Sequence, residues 1–360
     1  MHPETALRWS WMNVLNAKRA EILRSRFGSL ENALSKVSLE FLQELGCREE
    51  GAMIAMNRLE ELDIRAYSAL LVKKGITLIS DEDDAYPASL KTIPDRPVFL
   101  YARGDMNPLK RPCIALVGSR DMNDEGRRIV EAIVPGLIAA GCTTVSGLAY
   151  GVDAAIADET LRRSGMTVAV LGSGFAELYP KANERLAERI VSEGGLILSE
   201  FPLDQRPDKY TFPARNRIIA GLSLSTVVIQ AAEGSGSLIT AELALEYGRD
   251  VAAVPGSVFD PLFAGCHRLL ASGQAQLVVS ADQILLQAGI VAPLAPPSDT
   301  PFASDDPREM LIMAKLTSLP CALDDLVLAT SLDAATLIAT LTMLELKGVA
   351  RKVGGQWVRA

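Results

Sequence analysis

The sequence predicts an α/β protein built on a doubly wound parallel sheet, with a small all-α module before it and a winged-helix outline after it. Three observations carry this. From Cys113 onward, short apolar runs alternate with helix-compatible segments without interruption, the pattern of βα units joined by right-handed crossovers. The run Cys113-Ile114-Ala115-Leu116-Val117 is apolar at every position, which suits a strand buried on both faces. Residues 308–360 read as three helices followed by a hairpin.

Composition narrows the function classes. The chain has 360 residues, 49% of them hydrophobic and only 5% aromatic, so its interior is aliphatic and large enough for two or three domains. A net charge of −8 argues against a wholesale polyanion binder, so any nucleic-acid site must be a local basic patch. The five cysteines are far apart and form no C-x-x-C, which favours reduced thiols in a cytosol over disulfides or zinc. With only two histidines, a histidine-rich metal site is excluded, and no metal or cofactor is expected. No basic segment precedes a long apolar run, and no apolar run reaches the ~20 residues of a membrane helix, so the expectation is a cytoplasmic protein.

In chain order, residues 1–72 are expected as a helical module. Its helices are Arg8–Leu15, Lys18–Phe27, Leu30–Lys36 and Leu39–Leu45, with a longer one from Glu49 to Leu71. Ser29 and Ser38 are placed as N-caps. Such a module either grips a DNA backbone or mediates protein contacts, and the absence of clustered cations at its turns favours the second. Residues 73–112 are transitional, with short strands at Ile76–Ile79 and Val98–Tyr101. Between those strands Asp81-Glu82-Asp83-Asp84 reads as a solvated loop that would repel phosphate.

The core, 73–289, offers further strands at Ile114–Val117, Thr143–Ser146, Thr167–Leu171, Leu196–Leu198, Thr226–Gln230, Val251–Val254 and Gln276–Val279. Helices centre between them on Val130, Ala155, Leu186, Ile218, Leu243 and Leu269. Five prolines make 290–307 a semi-rigid linker. Beyond it, Arg308–Leu319, Ala322–Thr330 and Ala334–Lys347 are expected as helices, and Gly354-Gly355 turns the final hairpin.

Ligands of open α/β sheets bind beyond the carboxyl ends of the strands. There the sequence supplies Gly118-Ser119-Arg120, Ser146-Gly147-Leu148-Ala149-Tyr150-Gly151-Val152-Asp153, Gly172-Ser173-Gly174 and Glu233-Gly234-Ser235-Gly236-Ser237. One such turn is ordinary turn chemistry. Four on one sheet edge favour a phosphate-bearing ligand held by backbone N–H groups and helix N-termini. The segment Arg206–Arg217 adds charge. It sets Arg206, Lys209, Arg215 and Arg217 against Asp208, net +3, with Tyr210 and Phe212 interleaved. Cations that track a backbone and aromatic faces that stack on bases suit single-stranded nucleic acid; a solvated loop with one buried aromatic is the competing reading.

Catalysis finds little support, and no enzyme is expected. No G-x-S-x-G follows a strand, no P-loop is present, and Gly172-Ser173-Gly174 lacks the third glycine of a dinucleotide fingerprint. Asp153, Glu200, Glu233 and Glu242 are candidate acids, although carboxylates at such positions more often cap turns or pair with arginines.

Read together, these segments resemble the DNA-processing protein A family (DprA, also called Smf). The resemblance rests on Val-Gly-Ser-Arg at 117–120, Ser-Gly-Leu-Ala-x-Gly-Val-Asp at 146–153 and Ser-Glu-Phe-Pro at 199–202. Phe-Pro-x-Arg-Asn-Arg-Ile-Ile-Ala-Gly-Leu-Ser at 212–223, Gly-Ser-Leu-Ile-Thr-Ala at 236–241, Val-Pro-Gly-Ser at 254–257 and Gly-Cys-His-Arg-Leu-Leu at 265–270 extend it. It covers about residues 76–282 in order, and the flanking modules are similar to the family's SAM- or helix-hairpin-helix-like and winged-helix domains. The resemblance implies an extended Rossmann-type core, dimerised through that core. It would bind single-stranded DNA and load RecA recombinase onto it in natural transformation and recombination.

By position, Arg120 resembles the family's phosphate-binding arginine. Lys209 and Phe212 match its Lys-x-x-Phe, a backbone cation and a base-stacking aromatic. Gly118, Ser119, Ser146, Gly147, Arg215, Asn216, Arg217, Ser235 and Gly236 complete the expected DNA-binding set. Tyr150 stands where the family often has arginine and Ala157 where it often has histidine, which removes a peripheral cation. The competing class is a nucleotide phosphoribohydrolase of the lysine-decarboxylase-like group. Its Pro-Gly-Gly-x-Gly-Thr-x-x-Glu is replaced here by Glu233–Ser237, with the acid Glu242 at the wrong spacing. A transcription regulator acting through the tail is weaker still, because Ala334–Lys347 carries only Lys347 as a cation.

Overall fold

The run at 113–117 becomes a strand in the middle of the sheet. The structure is a computed structural model describing residues 1–290, 304, 306–317, 321–353 and 356–359. Residues 1–293 form one compact unit and 294–360 a second.

In the first unit, the strands are β1 (Ile76–Ser80), β2 (Phe99–Gly104), β3 (Cys113–Gly118), β4 (Thr143–Ser146) and β5 (Met166–Val170). They continue with β6 (Leu196–Ser199), β7 (Ser225–Gln230), β8 (Asp250–Ala253) and β9 (Gln276–Leu277). They form one sheet in the order β1-β2-β6-β5-β4-β3-β7-β8-β9. Pairing is parallel from β6 to β9. The chain builds outward from β3 to β6 in one direction, then returns to the other side of β3 for β7, β8 and β9. The order therefore reverses between β3 and β7, and a switch point of this kind opens a crevice beyond the strands' carboxyl ends.

Strand β3 is buried on both faces, as its lack of alternation requires. Ala115 and Val117 pack with Ile218, Ile219 and Ala241 in one layer. Ile114 and Leu116 pack with Val130, Ile133, Leu137 and Ile284 in the other. Residues 73–112 contribute more than a transition. β1 and β2 pair antiparallel with each other, and β2 pairs antiparallel with β6, giving the parallel sheet a mixed edge.

The N-terminal helices dock on that edge. Ser29 and Ser38 cap as expected, each side chain accepting from the backbone N–H three residues on. The single helix expected from Glu49 to Leu71 is instead two, Glu49–Glu61 and Ile64–Lys73. Asp63 breaks it by adopting extended backbone and accepting from the N–H groups of Arg65 and Ala66 at 3.0 Å each. The Tyr67 hydroxyl donates to the Tyr101 hydroxyl at 3.1 Å, and the latter donates to Ser10 Oγ at 2.9 Å, tying both ends of the module to β2.

Asp81 also departs from expectation. It is buried rather than solvated, bridged by both terminal nitrogens of the Arg24 guanidinium and approached by Arg96 at 3.5 Å. Burying a carboxylate is tolerable only when it is paired, and the arginine of the helical module supplies the partner.

The second unit holds helices Pro307–Met313, Leu323–Thr330 and Ala334–Leu346 and a hairpin of Ala350–Val353 with Gln356–Arg359. Ile312, Leu326, Leu337, Leu341 and Trp357 form its own core. Most of the linker 290–307 and the turn Gly354-Gly355 lie outside the described residues. Among the described residues no single helix is long and apolar enough to cross a membrane.

Candidate nucleic-acid interface

A cleft of about 420 Å³ opens at the switch point between β3 and β7. Gly118, Ser119 and Arg120 line one side, the 233–237 turn another, and Phe212, Arg215 and Asn216 of helix Thr211–Leu222 the floor. The turn after β3 is fixed from below. Ser119 N–H donates to the Gln230 carbonyl at 2.7 Å, and Ser119 Oγ accepts from the Asp121 N–H at 3.1 Å. Gln230 Nε2 donates to Asn123 Oδ1 at 2.8 Å, locking the cap of the next helix to the end of β7. Gly151 is required here: its φ is +70°, and a Cβ would strike the Ser119 carbonyl.

Phe212 is the half-buried aromatic of the cleft. The Arg120 guanidinium lies 5.1 Å from its ring centroid, and Tyr179 meets it at 5.7 Å with the planes tilted by 53°. Gly172 backs the ring so closely that a Cβ there would collide with it. Three of the four glycine-rich turns therefore border the cleft, while the 172–174 turn supports Phe212 from behind.

The charged segment 206–217 divides. Arg206, Lys209 and Tyr210 are exposed, with the Lys209 ammonium 4.9 Å from the Tyr210 ring centroid. Lys209 does not line the cleft. From Thr211 the chain is helical, and two cations expected at the surface turn inward. Arg215 is 5% exposed, and its Nη1 donates to the carbonyls of Gly147 and Val170, clamping the ends of β4 and β5 together. Its Nε donates to Asn216 Oδ1, and Asn216 Nδ2 donates to the Gly236 carbonyl at 3.2 Å. Arg217 pairs with Glu200 on the far side of the helix, away from the cleft. The reason is helical geometry: 212, 215, 216 and 219 share one face, and 217 projects from the opposite one.

Asp153 answers Arg215 from the other side of Gly147. Its carboxylate accepts from the N–H groups of Gly147 at 3.0 Å and Ala149 at 3.4 Å. Burial pushes this carboxyl above the usual range, while Arg215 and the two N–H groups pull it back. Burial likewise lowers Arg215, opposed by Asp153. Gly147 is thus gripped at both its N–H and its C=O, and Arg215 leaves no room for a Cβ. Ser146 is fully buried, so it shapes this turn and presents nothing to a ligand.

The cleft lining sets Arg120 and Arg215 against Asp121, Asp153 and Glu233. Arg215 is committed to carbonyls and offsets the buried Asp153, so Arg120 is the cation of the lining left for a ligand, while Asp121 and Glu233 are exposed. Glu242, the acid weighed for the competing class, pairs with Arg268 at 3.5 Å and does not line the cleft. Among the described residues no three His, Cys, Asp or Glu side chains gather to hold a metal.

Two family descriptions match the chain: "DNA recombination-mediator protein A" over residues 77–289 and "DprA winged helix domain" over 295–356. The chain belongs to the DprA/Smf family. It is 46% identical to the DNA processing protein DprA of Streptococcus pneumoniae over 205 residues, 57% of this chain and 72% of that protein. Protein Smf of Synechocystis is 34% identical over 319 residues, 79% of this chain and 80% of the relative. The X-ray structure of the S. pneumoniae DprA superposes with a TM-score of 0.66, covering 79% of this chain and 97% of that one. The DprA of Helicobacter pylori, whose structure concerns its single-stranded DNA binding mode, matches at 28% identity and a TM-score of 0.53, covering 59% and 94%.

The two departures from the DprA/Smf pattern fall in different settings. Ala157 is fully buried among Leu148, Leu161 and Ala169. Tyr150 is 45% exposed beside the cleft mouth. The tail is also informative by itself: Lys347, the cation of its candidate recognition helix, pairs with Glu309 at 2.6 Å.

Proposed function

We propose that this chain binds single-stranded DNA across the rim of the switch-point cleft and acts as a recombination mediator without a catalytic step. The observation that carries this is the juxtaposition of Arg120 and Phe212, a cation with no ion-pair partner among the described residues resting on a half-buried ring. The single-strand binding of the H. pylori relative supports it. Bases turn toward Phe212 and phosphates toward Arg120 and the exposed Lys209.

Arg120 covers the ring on which a base would stack. Releasing it costs about 0.5–1 kcal/mol at an exposed site, less than the roughly 1–3 kcal/mol of one base–aromatic stack. Binding therefore exchanges the cation–π pairing for a phosphate pair plus a stack. Delivery of the strand to RecA recombinase and dimerisation through the core belong to the same proposal, and a RecA strand-exchange assay and sedimentation velocity test them.

Arg120→Ala and Lys209→Ala should each weaken binding to all sequences alike. On a single strand, each phosphate that is no longer neutralised should flatten the slope of log affinity against log salt by about 0.7. Fluorescence anisotropy with labelled oligothymidylate across a salt series reads this. A fall in affinity with an unaltered slope would remove these residues from the phosphates.

A further inference from the structure

A second concavity, of about 940 Å³, adjoins the cleft and shares Arg120 and Asp121 with it. Arg127, Arg185 and Arg189 line it, with Tyr150 at its edge and Asp158 as the second acid. Its four arginines against two acids give +2. Arg189 is held by Asp158 at 2.7 Å and by Glu193 at 3.0 Å. Arg127 and Arg185 are exposed and have no ion-pair partner among the described residues. Like charges gathered without counter-ions repel one another, and a polyanion relieves that cost.

We propose that this basin is a second subsite of the strand: from Phe212 the single strand passes Arg120, stacks a base on Tyr150 and lays its next phosphates on Arg127 and Arg185. This rests on the function proposed above. Three independent features point the same way. Arg120 belongs to both concavities, so the track is continuous. The basin is cationic, and two of its arginines have no ion-pair partner among the described residues. Tyr150 presents an exposed face to the basin, a platform for a base. An exposed tyrosine beside free arginines is the combination single-strand binders use for sequence-tolerant tracking.

The test compares a thymidine dinucleotide, too short to reach past Arg120, with an oligothymidylate of roughly 20 nucleotides, longer than the site sizes of single-strand binders. Each is titrated against the full-length protein by fluorescence anisotropy. Tyr150→Ala should lower affinity for the long strand roughly 5- to 150-fold, and Arg127→Ala/Arg185→Ala should flatten its salt slope by about 1.4. The short strand, filling the Phe212 subsite alone, should bind all variants as it binds the wild type. These are exposed side chains, and circular dichroism melts confirm that the variants fold. Equal long-strand affinity and slope in wild type and variants, with short-strand binding intact, overturns the second subsite and leaves the first standing. Failure of the wild type to bind either strand overturns the proposed function itself.

Discussion

Phe212→Ala should reduce affinity for single strands roughly 5- to 150-fold, the cost of removing one base stack, while the salt slope stays at the wild-type value. The ring carries no charge, so removing it changes no counter-ion release. The variant also takes away the ring that Arg120 and Tyr179 rest against, which frees the arginine for phosphate and keeps the electrostatic part of binding whole. Duplex DNA hides its base faces, so duplex affinity should change much less, and the preference of the protein for single strands should narrow. Anisotropy titrations on both substrates read this. A flattened slope, or equal losses on both, would mean that Phe212 shapes the protein instead of touching bases.

Arg215→Ala should act on stability. The substitution leaves the carbonyls of Gly147 and Val170 without their buried donor and deprives Asp153 of the cation that offsets its burial. Removing one member of a buried charged arrangement costs about 3–5 kcal/mol, enough to threaten a domain whose total stability is of order 5–15 kcal/mol. The loss should depend on pH. Asp153 is already held above the usual carboxylate range, and without Arg215 it rises further. A carboxyl raised in the folded state binds more protons there than in the unfolded chain. Its contribution is therefore fully present below the unfolded pKa of about 3.9 and is lost as pH rises through the folded one. The deficit of Arg215→Ala should thus be largest near neutrality and shrink toward about pH 4. Adding Asp153→Asn should recover part of it at neutral pH. Urea denaturation at several pH values measures this, and a deficit independent of pH would separate Asp153 from Arg215.

The central strands were legible in the sequence because burial on both faces erases alternation, and β3 shows that directly. The glycine-rich turns at strand ends marked the edge where the cleft opens, but the reversal of strand order between β3 and β7 was not legible, because it leaves no local trace. Arg217 was legible in principle. Once 211–222 is read as a helix, its position five residues after Phe212 puts it on the opposite face. The inward clamp of Arg215 was not legible, because the same face leads either to solvent or to the ends of β4 and β5. Tyr179 gave no signal, since a loop residue brought beside Phe212 by tertiary folding leaves no periodic trace. Asp81 misled for a related reason: four consecutive acids look solvated until Arg24, 57 residues earlier, reaches one of them.

Photo-crosslinking tests the central claim most directly. An oligothymidylate carrying iodouridine is irradiated with the full-length protein, and the adducts are mapped by mass spectrometry. We expect them on peptides containing Tyr179 and Phe212, at the aromatic pair of the cleft. Adducts confined to residues 308–360 would place the strand on the winged-helix unit and contradict the account.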